Sequence, residues 1–156
     1  MTFITEKPKN FEEWQSGVPE KIRSGPLWSF GAYPKASFLY ELVWCDCESL
    51  MKDVRGRAIV EQLVRSAGSV CANIEEGYGR GFGRDYAHFL GYALGSARET
   101  QGWYFRAKHL LKPEVLDHRL ALVDETIALL VKTIAYQRKT TRSTGLRPSP
   151  LATRNS

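Results

Sequence analysis

Apolar residues recur through most of this chain at steps of three and four, the spacing at which side chains share one face of a helix. The clearest series is Ile59, Leu63, Ala67, Val70 and Ile74, whose alternating steps keep one stripe turned toward neighbours. It predicts a helix over 56–76. Two adjacent apolar-rich stripes, Phe38, Leu42, Cys45 and Ser49 beside Leu39, Val43, Asp46 and Leu50, predict another over 35–52. Tyr86, Leu90, Ala93, Ala97, Tyr104 and Leu111 mark a third over 83–111. The fourth follows Pro113, a residue suited to the first helical position. It carries Val115, Leu116, Leu120, Val123, Ile127, Leu130, Val131 and Ile134 over 113–138. No strand-like alternation of useful length interrupts this series. Long amphipathic helices with short connections make the expected fold all-α, an antiparallel up-down four-helix bundle over 35–139.

The flanks differ from this body. Residues 1–34 have Pro8, Pro19 and Pro26 and poor periodicity, and read as an arm with one short helix near Pro19–Trp28. Phe11, Trp14, Trp28 and Phe30 are too apolar for a free tail, so the arm is expected to pack on the body or on another subunit. Residues 140–156 are rich in Thr, Ser, Pro and Arg with little to bury, the composition of a disordered basic tail.

Polar and small positions on the helices add detail. Gln62, Ser66, Ser69 and Asn73 flank the apolar face of the second helix and predict hydrogen bonding between helices. Gly91, Gly95 and Gly102 fall on one line of the third helix, with Arg98 among them. A helix-interior glycine costs about 1 kcal/mol relative to alanine, so this line predicts a close approach by another helix or a neighbouring subunit.

The 156 residues suffice for one domain with a real core, and 43% hydrophobic with 25% charged is the balance of a soluble protein. No apolar run approaches the ~20 residues of a membrane span, and MTFITEKPKN does not read as a signal peptide. Cys45, Cys47 and Cys71 have no framework spacing and suggest reduced thiols in a cytoplasmic protein. The net charge is +5, and its distribution matters more. Beyond Glu125 there are six basic residues and no acidic one, and residues 77–112 hold six basic against two acidic. Such concentrations favour a polyanion, nucleic acid first, although a basic helix face can also be merely solvated.

The stretch SVCANIEEGYGRGFGRDYAHF, residues 69–89, joins the second and third helices. Its glycines are not a dinucleotide fingerprint, because a helix precedes them where a strand is required. Nor are they a P-loop, because no Lys-Ser/Thr pair follows at the needed spacing. They read as a helix–helix bend, with Gly77 as a left-handed C-cap and Gly79, Gly81 and Gly83 reversing the chain. Tyr78 and Phe82 would pin the bend. Arg80 and Arg84 either pair with Glu75 or Glu76, or offer two guanidinium groups to a polyanion.

Residues 66–100, SAGSVCANIEEGYGRGFGRDYAHFLGYALGSARET, resemble the signature of the four-helix-bundle family first noticed as reading frames in intervening sequences of bacterial 23S rRNA genes. The matching positions are Ser69, Asn73, Ile74, Glu76, Gly77, Arg80, Phe89, Leu90, Ala93, Gly95, Ser96 and Glu99. Ser69, Asn73, Glu76, Gly77, Gly95, Ser96 and Glu99 form its structural signature. The glycine-rich turn and both terminal extensions depart from the family pattern. The resemblance implies a left-handed bundle that associates as a homopentamer. It also implies kinship with the accessory variability determinant of diversity-generating retroelements, which binds a reverse transcriptase and nucleic acid through basic surface. Most other members have no established activity.

Other chemistry finds little support. A di-metal bundle needs two E-x-x-H pairs, and Asp85 with His88 is a single D-x-x-H, so no metal or other cofactor is expected. Cys45 and Cys47 diverge on a helix, and Cys71 reads as a packing residue. Glu76 and Glu99 read as members of ion pairs or hydrogen-bond networks with Arg80, Arg98 or Asn73, rather than as paired acids. In the run Trp103, Tyr104 and Phe105 at least one ring must leave the core, and Trp103 beside Arg106 is the candidate for base stacking or a subunit interface. The expectation is a non-enzymatic homo-oligomer that binds RNA or DNA. Arg80, Arg84, Arg106, Lys108 and Lys112 would contact phosphates, and Arg98 more weakly, with no membrane partner. The alternatives are a purely structural assembly module, or an enzyme whose pocket gathers Glu76, His88 and Glu99.

Overall fold

The computed structural model describes residues 7–144, and every regular element among them is helical. Two short helices, α1 (Phe11–Gly17) and α2 (Glu20–Arg23), and a 3-10 turn at Pro26–Ser29 lead into four long helices. These are α3 (Ala32–Leu50), α4 (Val54–Gly79), α5 (Arg84–Arg106) and α6 (Pro113–Thr144), with a second 3-10 turn, Ala107–His109, closing α5.

Local chemistry explains the boundaries that periodicity misses. The arm has two helices and a turn rather than one helix near Pro19–Trp28. α1 starts at Phe11 because the Asn10 side chain caps it by accepting the Glu13 N–H at 2.8 Å, while the Glu13 carboxylate accepts the Lys9 N–H at 3.0 Å. The arm packs on the body of its own chain: Phe11 and Trp14 lie 5.5 and 5.2 Å, centroid to centroid, from Phe38 of α3. α3 begins at Ala32, with Pro34 in the first turn, where a missing N–H leaves no bond unmade. α6 continues to Thr144, so residues 140–144 of the expected tail are helical, and the remainder of that tail lies outside the described residues.

Gly77 is not a left-handed cap. It is buried inside α4, where α5 crosses so closely that a Cβ would lie 2.8 Å from Phe89 Cβ and 3.2 Å from Tyr86 Cδ2. The chain reverses later, at Gly81 (φ 98°) and Gly83 (φ 85°), which occupy the region only glycine enters without strain.

α3 packs against α4 and α6, and α5 packs against the same two helices. The contacts join early turns to late ones. Tyr33 near the start of α3 donates to Glu75 near the end of α4 at 2.9 Å. The Gly83 N–H before α5 donates to Gln137 late in α6 at 3.1 Å. Thr100 donates to Ser66, and Ser96 to Ser69, both at 3.0 Å, so these serines of the expected polar row do link α4 to α5. Gln62 and Asn73 bond within α4 instead: Arg65 donates to Gln62 at 2.8 Å, and Asn73 donates to the Ser69 carbonyl at 2.8 Å and hydroxyl at 3.0 Å.

Two apolar clusters form the core, one around Leu39, Leu42, Leu63 and Val123, the other around Ile74, Leu90, Ala93 and Leu130. Beside the first lies a buried ion pair. Arg119 of α6 donates to both oxygens of Asp46 of α3, Nε at 2.6 Å and Nη2 at 2.9 Å. Tyr104 of α5 donates to the same carboxylate at 3.0 Å and Lys7 of the arm at 3.2 Å. The Asp46 and Arg119 side chains are 2% and 4% exposed. Arg119 Nη1 also meets His118 Nδ1 at 2.7 Å.

Removing one buried partner strands the other charge. Asp46→Ala is expected to cost ~3–5 kcal/mol. Asp46→Leu with Arg119→Leu and Tyr104→Phe removes the buried members, leaves only the half-exposed Lys7, and is expected to recover most of that loss, read as urea midpoints. A second expectation concerns alkali. Burial, then the Asp46 charge, holds the Tyr104 phenol well above its usual 10. The folded chain therefore keeps a proton that the unfolded chain loses, and stability falls as pH rises through about 10 and beyond. Tyr104→Phe should flatten that fall, measured as unfolding free energy against pH.

Candidate nucleic-acid interface

α5 presents opposite chemistry on its two sides. Tyr86, Leu90, Ala93, Ala97, Thr100 and Tyr104 are buried. On the other side, at steps of three and four, run Arg84, His88, Gly91, Gly95, Arg98, Gly102 and Arg106. From Arg84 to Arg106 this stripe is roughly 33 Å long. Arg84, His88, Gly95, Arg98 and Arg106 are exposed. A Cβ at Gly91 or Gly95 would meet nothing within 4 Å, and at Gly102 its nearest neighbour would be the Arg106 guanidinium. The glycine line thus faces outward, and no other helix among the described residues packs on it.

The six basic residues singled out in the sequence do not form one patch. Arg84, Arg98 and Arg106 share the α5 stripe. Arg80 turns back to Glu76, with Nε at 2.8 Å and Nη2 at 2.6 Å, and covers the Phe89 ring at 5.4 Å. Lys108 lies beyond α5 over the Phe105 ring at 4.4 Å, and Lys112 is exposed just before α6. Trp103 is half-buried: it packs against the first apolar cluster, and Arg106 covers it at 4.8 Å. The aromatic rings open to solvent beside this stripe are Phe105 and Tyr92, 57% and 52% exposed. Tyr92 meets His88 Nε2 at 2.8 Å. Sequence reasoning missed Tyr92, whose only signal is its place one residue after Gly91.

The signature residues have mainly structural partners. Ser69, Asn73 and Ser96 form the hydrogen bonds described above, and Gly77 makes room for Phe89. Glu99 accepts from Arg65 and, at 3.4 Å, from Trp103 Nε1. Gly95 alone faces open space. Glu76, His88 and Glu99 thus bond to Arg80, Tyr92 and Arg65 respectively and do not converge on one another. Burial pushes the Cys71 thiol up to about 12 and the Cys47 thiol up to about 11, the opposite of an activated nucleophile. Among the described residues no group of three or more His, Cys, Asp or Glu is arranged to hold a metal, and no helix is long and apolar enough to cross a membrane.

These features define an all-α protein with one helix face that is basic, glycine-rich and uncovered. The family model for the 23S rRNA-intervening sequence protein matches residues 30–132, which run from just before α3 into α6. The chain belongs to that family. No curated protein and no solved structure matches it.

The glycines divide by environment, and their substitutions should too. Gly95→Ala is expected to raise stability by about 1 kcal/mol, because the methyl meets open space and the helix gains propensity. Gly77→Ala is expected to lower it by ~1–3 kcal/mol through overpacking. Urea unfolding of the two variants reads both signs.

Proposed function

We propose that this protein is a non-enzymatic, homo-oligomeric accessory protein that binds RNA or DNA through the outward face of α5. In this reading the long helices form an antiparallel up-down four-helix bundle, and the molecule works in the cytoplasm with its three cysteines reduced. The observation that carries it is the alignment of Arg84, Arg98 and Arg106 at helical spacing with glycines between them. Arginine forks grip phosphates, and glycines let a backbone come close to the helix surface. Phe105 and Tyr92 offer rings beside the charges, a combination that suits strands held without sequence preference. Lys108 and Lys112 extend the positive field, while Arg80 is engaged by Glu76. A ring of subunits, as the family resemblance suggests, would repeat the stripe and multiply weak contacts into avidity. Docking of a nucleic-acid enzyme such as a reverse transcriptase belongs to the same proposal.

A purely structural assembly module is the second reading. The open Gly91 and Gly95 favour it, because a helix of another copy could seat there as readily as a strand.

Fluorescence anisotropy with labelled single- and double-stranded RNA and DNA, across a salt series, separates the two. Binding should weaken linearly in log–log form, and Arg98→Ala should reduce the slope by ~0.7–0.9 as one phosphate contact disappears. Arg80→Ala should leave the slope unchanged. Absence of binding at low salt, together with loss of oligomers in Gly95→Leu by light scattering, would establish the assembly reading instead.

A further inference from the structure

α5 and α6 flank a cleft of about 610 Å³ where α5 begins. Its described lining is Arg84, Ala87 and His88 from α5, and Arg138 and Thr141 from α6. Two arginines therefore line one space, and no carboxylate lines it among the described residues. Neither arginine has a hydrogen-bond or ion-pair partner among those residues. Asp85 follows Arg84 in the sequence but is not part of the lining.

The backbone positions that carry these arginines are fixed. Gln137, only 9% exposed, accepts the Gly83 N–H at 3.1 Å. Those two residues immediately precede Arg138 and Arg84, so this one bond sets how far apart the arginine-bearing backbones lie. Gly83 has φ 85°, and a Cβ there would come within 3.1 Å of Thr141 Oγ1. A residue with a side chain would be strained and would press on α6. Two like charges lining one cleft with no carboxylate beside them among the described residues repel each other. An anion with several oxygens relieves that repulsion and matches two guanidinium forks.

We infer that this cleft recognises a phosphate monoester, either the terminal phosphate of a nucleic-acid strand or a free phosphorylated compound. A monoester dianion satisfies two arginines better than the single charge of an internal phosphodiester does. For the strand source, the inference rests on the proposed nucleic-acid function, because the α5 stripe that begins at Arg84 leads into the cleft. For the free source it stands independently.

Arg138→Ala tests it, because Arg138 is exposed and lies outside the α5 stripe. One arm titrates inorganic phosphate and ribose 5-phosphate into the full chain by calorimetry. The other compares 5′-phosphorylated, 3′-phosphorylated and hydroxyl-ended strands of one sequence by anisotropy. The expected result is that Arg138→Ala weakens phosphate binding by about tenfold, the effect of one lost charge-assisted hydrogen bond. It should also abolish any preference for a phosphorylated end. Arg138→Lys, which keeps the charge without the fork, should recover part of the loss. An end preference assigns the phosphate to a strand. Binding of ribose 5-phosphate without an end preference assigns it to a free compound. If no strand binds at all, the nucleic-acid reading fails and calorimetry alone decides the cleft. Absence of Arg138-dependent phosphate binding in both arms overturns the inference.

Discussion

The Asp46–Arg119 pair is the interaction on which the rest of the structure depends. A carboxylate and a guanidinium with exposures of 2% and 4% cannot stand alone in a core. Each is tolerable only because the other sits at 2.6 Å, with Tyr104 and Lys7 donating to the same carboxylate. Such a network is directional, whereas apolar packing is not. It fixes α3 against α6, fixes the inward side of α5 through Tyr104, and ties the arm to all three. Once Tyr104 is held inward, the helical repeat turns Arg84, Arg98 and Arg106 outward.

This determinant was only half legible in the sequence. Asp46 stands in an apolar stripe with Leu39, Val43 and Leu50, and its presence there is an anomaly of hydrophobic spacing. Its partner is not marked in the same way, because Arg119 simply interrupts the apolar pattern around Leu120. The long helices themselves were readable, since each buries a repeat that periodicity detects. Their ends were less so. α1 depends on the bonds that Glu13 makes to Asn10 and Lys9, and α6 outlasts its apolar stripe where Gln137 accepts the Gly83 N–H at the start of α5. Hydrogen bonds of this kind leave no trace in hydropathy.

The glycines show the same limit from another side. In the sequence Gly77, Gly91 and Gly95 are alike, each a small residue within or at the end of a helical pattern. In the structure Gly77 is pressed by Phe89 and Tyr86, whereas Gly91 and Gly95 face open space. The basic residues separated similarly. Arg80 and Arg84 are four apart, yet the first returns to Glu76 while the second lines a cleft with Arg138. Spacing reveals which residues share a face, but the bend at Gly81 and Gly83 decides which of them keep a free charge.

The two outward glycines bear on function through stability. At ~1 kcal/mol each they remove a noticeable share of the 5–15 kcal/mol that holds a typical domain together. No contact within the described chain offsets that loss, and alanine would fit at both positions. In the proposed function, a strand lying against the helix would use the room that these glycines leave. The exposed arginines along the same stripe would suit the negative charge of such a strand. As proposed, an anionic strand would use both the glycines and Arg98, whereas a helix from another copy would use the glycines alone. The cleft arginines at one end of the stripe, without a partner among the described residues, would suit an anion in the same way.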